Sequence, residues 1–139
     1  MAKLKKKTII FGSSGDIGKK IKYLLKNDNI LDLNSKELDL SNIKNAKNFN
    51  IKIIPDNIIF VSAINKPKDF LKLNDNEIEE VFNTNFLSFI ILLKKLLKRV
   101  VKAKKKCKII LITSLYSQFG RSKRLLYSIS KHALLGLTR

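Results

Sequence analysis

The segment Gly12-Ser13-Ser14-Gly15-Asp16-Ile17-Gly18 constrains the fold more than any other stretch of the chain. The apolar run from Thr8 to Phe11 leads into it, and Asp16 to Asn27 follows with Ile17, Ile21, Leu24 and Leu25 at helical spacing. That pattern is a strand, a glycine turn and a helix. Glycines three residues apart in such a turn let backbone N–H groups approach a pyrophosphate, and the helix N-terminus adds its partial positive charge. Spacing alone carries little weight, but spacing in this strand–turn–helix context predicts a phosphate- or dinucleotide-binding turn.

The rest of the chain continues the alternation. Asn29 to Leu33 and Glu37 to Leu40 read as two short strands separated only by Asn34-Ser35-Lys36, which leaves no room for a helix between them. Ser41 is the expected cap of a short helix through Phe49. Asn57 to Ala63 is an apolar run of strand length, as a parallel strand covered on both faces would be. From Asp75 to about Lys105 the apolar positions follow a helical stripe with a break near Asn83 to Asn85. Lys108 to Ser114 reads as another buried strand, and Leu125 to Thr138 as a final helix. Strands alternating with helices predict an α/β fold, a Rossmann-like doubly wound parallel sheet of about five strands in the order 3-2-1-4-5, with helices on both faces. Ligands of such sheets sit beyond the carboxyl ends of the strands, so chemistry is expected just after Phe11, Ala63 and Ile112.

Composition excludes several classes. Of 139 residues 45% are hydrophobic, enough for a packed core, so disorder is not the main description, and no linker divides residues 1–139 into more than one domain. One cysteine and one histidine exclude a disulfide framework and leave no ordinary structural metal site. The longest apolar stretch, Phe86 to Leu93, is cut off by Lys94 and Lys95, far short of the roughly 18 residues of a membrane span. The basic start, Lys3 to Lys7, is followed by too short an apolar run for a secretory signal, so a cytoplasmic location is expected. The net charge of +18 raises the question of nucleic acid. Lysine, isoleucine and asparagine are abundant along the whole chain, which resembles a codon bias rather than a clustered binding face. No specific nucleic-acid partner is therefore expected, the tract Lys102 to Lys106 reading as a solvated helix end.

In Tyr127-Ser128-Ile129-Ser130-Lys131, Tyr127 and Lys131 lie four apart on one helical face. An ammonium beside a phenol favours the phenolate, as an acid–base tyrosine near neutral pH requires. Ser114 ends the preceding strand, where its hydroxyl can hold a substrate oxygen against the tyrosine.

These residues together resemble the short-chain dehydrogenase/reductase family over essentially the whole chain. Gly12 to Gly18 is similar to the family's cofactor loop, and Asp39-Leu40 to its adenine-contacting segment. Ser62-Ala63-Ile64 takes the place of its Asn-Ala-Gly segment. Asn85 falls where the family keeps a helix asparagine, and Lys108 to Arg139 is close to its active-site block. The resemblance implies hydride transfer between a nicotinamide, NAD or NADP, and a small-molecule carbonyl or alcohol. Tyr127 would be the proton donor or acceptor, and Ser114 would polarise the substrate oxygen. Lys131 would lower the tyrosine pKa and bind the nicotinamide ribose, and Asn85 would order a proton-relay water. Asp32 can accept from an adenosine ribose hydroxyl, which suggests NAD, whereas Ser35 and Lys36 can hold a 2′-phosphate, which suggests NADP.

The glycine spacing and the short segment between the second and third strands are similar to the sugar-nucleotide reductases and epimerases of the extended branch, which stand as an alternative. A second alternative is a dinucleotide-binding fragment without catalysis. The chain ends at Arg139 inside the Tyr-Lys helix, whereas family members continue into two more strands and a substrate-covering loop, so a fragment of a longer gene is expected. Family members commonly associate through the two long helices, which makes the Phe86, Phe89, Leu92 stripe either a homo-oligomer face in the full-length protein or core. His132 is expected to pack or face solvent. Cys107 is expected to be a small core residue, with nearby lysines able to activate its thiol.

Overall fold

A computed structural model describes residues 5–138. Lys3 of the basic start and Arg139 at the end of the Tyr-Lys block lie outside them. Four parallel strands, β1 (Lys7–Phe11), β2 (Asn29–Leu33), β3 (Asn57–Phe60) and β4 (Lys108–Leu111), form one sheet in the order β2-β1-β3-β4. The register aligns Leu33, Phe11, Phe60 and Leu111 in one row, so all four strands end level and the residues after them share one edge. The helices between them are α1 (Asp16–Leu24), α2 (Ile43–Asn48), α3 (Asp75–Phe82), α4 (Ser88–Lys102) and α5 (Leu125–Gly136). This is the expected Rossmann-like arrangement, with one strand fewer than expected.

Successive side chains of β1 and β3 point to opposite faces, yet Ile9, Ile10, Phe11, Ile58, Ile59 and Phe60 are all buried, as strands covered on both sides must be. On one face Phe60 stacks on Phe89 of α4 with ring centroids 4.1 Å apart, and Phe11 meets the same ring edge-on at 5.8 Å. Such pairs contribute about 0.5–1.5 kcal/mol each beyond their buried area. Phe89 and Leu92 of the stripe are fully buried in this core, and Phe86 packs partly buried against it.

The structure corrects four expectations. Glu37 to Leu40 is not a strand: Leu38 N donates to Asn34 O, Lys36 N to Asn34 Oδ1 and Ser41 N to Asp39 Oδ1, so Asn and Asp side chains take the backbone into turns. Leu38 and Leu40 are buried as anchors of that turn rather than as strand residues. The cap of α2 is Asn42, whose side chain accepts from Lys44 N, while Ser41 hydrogen-bonds Asp39. β4 is not buried: among the described residues it pairs only with β3, and Ile109 and Ile110 are 40% and 45% exposed. Cys107 is only partly buried, and burial, with Asp56 nearby, pushes its thiol up rather than activating it.

The break in the long helical stripe is present: Asn83–Leu87 forms a π-turn between α3 and α4. A capping box starts α3, Asn74 Oδ1 accepting from Glu77 N while the Glu77 carboxylate accepts from Asn74 N. Arg99 and Lys102 occupy the last turn of α4, and the lysine tract leaves the helix there through Lys104 at φ 52°. No described helix is long and apolar enough to cross a membrane.

Candidate active site

Gly12 follows β1 at φ +86°, a backbone state that favours glycine. It also lies against β3, since a Cβ there would sit 2.6 Å from Ser62 N. Gly18 packs as tightly inside the turn, where a Cβ would come within 2.4 Å of Gly12 O. Gly15 differs: its Cβ would meet nothing nearer than 3.8 Å, so this position opens outward. Two glycines close the turn and the third leaves a bare cradle at the start of α1, where unpaired helix N–H groups favour an anion.

That cradle opens into a cavity of about 330 Å³ at the carboxyl ends of β1, β2 and β3. Of the residues expected to hold a cofactor, Gly12, Ser14, Gly15, Ser35, Asp39, Leu40, Ser62 and Ala63 line it, and Asn34, Val61 and Thr84 join them. Ser13, Asp16, Ile17, Gly18, Asp32, Tyr127 and Lys131 do not. Ser13 is buried and donates to Asp32 Oδ1, and Lys22 of α1 pairs with Asp32 Oδ2. Burial pushes the Asp32 carboxyl up, but the hydrogen bonds from Lys22 and Ser13 outweigh it and hold the group below the ordinary 3.8. Asp32 thus ties the glycine turn and α1 to β2 instead of facing the cavity. Ile17 is half exposed on the outside of α1.

Beside β3, Asn85 is fully buried in the π-turn. Its Oδ1 accepts from Ile64 N at 2.8 Å, and its Nδ2 donates to Ile64 O and to Ser130 Oγ of α5, each at 2.9 Å. One amide therefore joins the segment after β3 to the α3–α4 junction and to α5. The extra turn residue that a π-helix admits turns this side chain inward.

On α5, Lys131 is 1% exposed, and Nζ donates to Ile112 O at 2.8 Å just past β4. Burial lowers its pKa from 10.5 to about 8. The same ammonium lies 5.7 Å from the centre of the Tyr127 ring, one helical turn away. Ser114 Oγ accepts from Tyr116 N, and the Tyr116 ring meets Tyr127 edge-on at 6.3 Å. Ser114, Tyr127, Lys131 and Asn85 are therefore gathered around the ends of β3 and β4 and the inner face of α5. His132 is exposed, with Nδ1 2.7 Å from Ser117 O. Sequence patterning missed Tyr116 and Ser130, because each meets Tyr127 or Asn85 only through the fold.

The short chain dehydrogenase family model matches residues 55–139. A solved 4-hydroxyisoleucine dehydrogenase complexed with NADH and succinate is 31% identical, with 94% of this chain and 69% of that chain covered and a TM-score of 0.86. A short chain dehydrogenase from Leptospira borgpetersenii with bound NAD+ is 22% identical over 96% of this chain and 63% of its own, TM-score 0.82. ElxO with NADP bound is 21% identical over 96% and 65%, TM-score 0.75, and these last two show the likeness of fold. The chain thus spans about two thirds of the length of these structures. No curated protein matches. With the family model covering more than half of its residues and the cradle, cavity and α5 pair in place, the chain belongs to the short chain dehydrogenase family.

Proposed function

We propose that this chain is the dinucleotide-binding and catalytic part of an NAD- or NADP-dependent oxidoreductase acting on a carbonyl or alcohol. The observation that carries the reading is the buried Lys131 ammonium beneath the Tyr127 ring, a cation that the fold holds out of water without a carboxylate partner among the described residues. The bare cradle at Gly15 and the open row of Ser14, Asn34, Ser35 and Asp39 suit the phosphates and adenosine of a dinucleotide.

When bound, the dinucleotide supplies or accepts the hydride. Tyr127 would take the proton of a substrate hydroxyl in the oxidation direction and return it to the carbonyl oxygen in reduction. Lys131 sets its positive charge beside the Tyr127 ring and stays protonated at neutral pH, since burial lowers its pKa only to about 8. Ser114 holds the substrate oxygen, and Asn85 fixes α5 against the β3 end so that Tyr127 keeps its position. Asp32 is spent on Ser13 and Lys22, so Asn34 and Ser35 are the residues that meet the adenosine ribose and choose between NAD and NADP. Following absorbance of the reduced nicotinamide with a panel of ketones tests the reading. Turnover that Tyr127→Phe abolishes without loss of cofactor affinity supports it, and equal turnover by the variant overturns it.

A further inference from the structure

All 11 Asp and Glu residues lie at or before Glu80, so the segment carrying Ser114, Tyr127 and Lys131 has no acidic residue at all. Within it, the loop between β4 and α5 bears Arg121, Lys123 and Arg124 in four positions. Two acidic side chains of α3 are already taken. Lys68 N donates to Lys123 O, which sets the two loops together, but Glu77 pairs with Lys68 and Glu80 with Lys66. Among the described residues no carboxylate pairs with Arg121, Lys123 or Arg124. None of the three lines the cavity at the glycine turn, so their charge is not placed for the phosphates of a dinucleotide there.

Arg121 is the one of the three aimed at the reacting end. Its guanidinium donates to the Tyr116 hydroxyl and lies 5.4 Å from the centre of that ring, which in turn sits edge-on to Tyr127. One aromatic ring therefore separates a fixed, planar cation from the tyrosine. Arginine is scarce in this lysine-dominated chain, and its planar fork matches a carboxylate in a way an ammonium does not. Leu115 and Phe119 of the same loop are 75% and 64% exposed, apolar surface suited to a short carbon chain.

We propose that the substrate is a short hydroxy- or oxo-carboxylic acid whose carboxylate is held by Arg121 while its reacting oxygen lies at Tyr127. Tyr116 is a positioning residue that fixes the guanidinium. The inference rests on the oxidoreductase reading above, and its test separates the two. The chain, saturated with reduced nicotinamide cofactor as judged by its fluorescence, is titrated with straight-chain hydroxy acids of about four to six carbons and with the neutral amide of each. The expected result is a binary complex that binds at least one acid about 10- to 100-fold more tightly than its amide, the size expected of charge-assisted hydrogen bonds. Arg121→Gln removes that preference and Arg121→Lys restores part of it, while both variants bind cofactor like the parent. Tyr116→Phe, which keeps the ring and loses the hydroxyl, weakens the preference without removing it. Cofactor binding with acid and amide bound equally, with neither bound, or with a preference that survives Arg121→Gln overturns the proposal and leaves the oxidoreductase reading standing. Absence of cofactor binding overturns both.

Discussion

Lys131 Nζ, on the inner face of α5, donates a 2.8 Å hydrogen bond to the carbonyl oxygen of Ile112 just beyond β4. The contact joins the helix carrying Tyr127 to the sheet edge carrying Ser114. A buried ammonium with one carbonyl partner is only partly compensated, which is why its pKa falls to about 8.

Stability should follow from that shift. The folded pKa lies below the ordinary 10.5, so between about pH 8 and 10.5 the unfolded chain binds more protons than the folded one, and stability rises with pH across that window. Urea unfolding at intervals from pH 7 to 9.5 is expected to show the rise in the parent and its absence in Lys131→Met.

The glycines of the turn should separate by role. Gly18→Ala forces a Cβ to within 2.4 Å of Gly12 O, and Gly12→Ala meets Ser62 as well as an unfavourable φ. Each is expected to destabilise by about 1–3 kcal/mol or more, read as a fall in the urea midpoint. Both are expected to lose cofactor binding only along with the fold.

Asn85 should be costly to replace. Asn85→Ala removes the partner of the half-buried Ile64 N–H and C=O, a loss of about 1–3 kcal/mol. Asn85→Asp turns a donor against Ile64 O into a buried carboxylate, so its deficit should be larger at pH 7 than at pH 4, again by urea unfolding.

Asp32 and Ser35 should respond differently to the two cofactors. Asp32→Asn loosens Ser13 and Lys22 and is expected to weaken NADH and NADPH by similar factors in fluorescence titration. Ser35→Asp, at the cavity wall, is expected to weaken NADPH selectively through repulsion of the 2′-phosphate.

The strand–glycine–helix opening, the helix break at Asn83 to Asn85 and the alternation of strands and helices were legible in the sequence, because each rests on local pattern: apolar period, glycine placement, capping residues. The turn at Glu37 to Leu40 was not, since its buried leucines imitate a strand and only the Asn34 and Asp39 hydrogen bonds reveal the turn. β4 reads as buried from composition, yet burial depends on what lies beyond the edge, which no residue of the strand encodes. In the site, residue types and spacings pointed to Tyr127, Lys131 and the glycine turn. Orientation did not follow from them: Asp32 faces Ser13 and Lys22, a choice made by three side chains distant in sequence.

The central claim is that the cavity above the glycine turn takes a nicotinamide dinucleotide, and Gly15 gives the most direct test because its Cβ position is open. The parent chain and Gly15→Trp are titrated with NADH and NADPH by nicotinamide fluorescence, with thermal unfolding measured on both. Saturable binding by the parent and none by the variant, at an unchanged melting temperature, is expected. A folded parent that binds neither cofactor, or a variant that binds as the parent does, would contradict it.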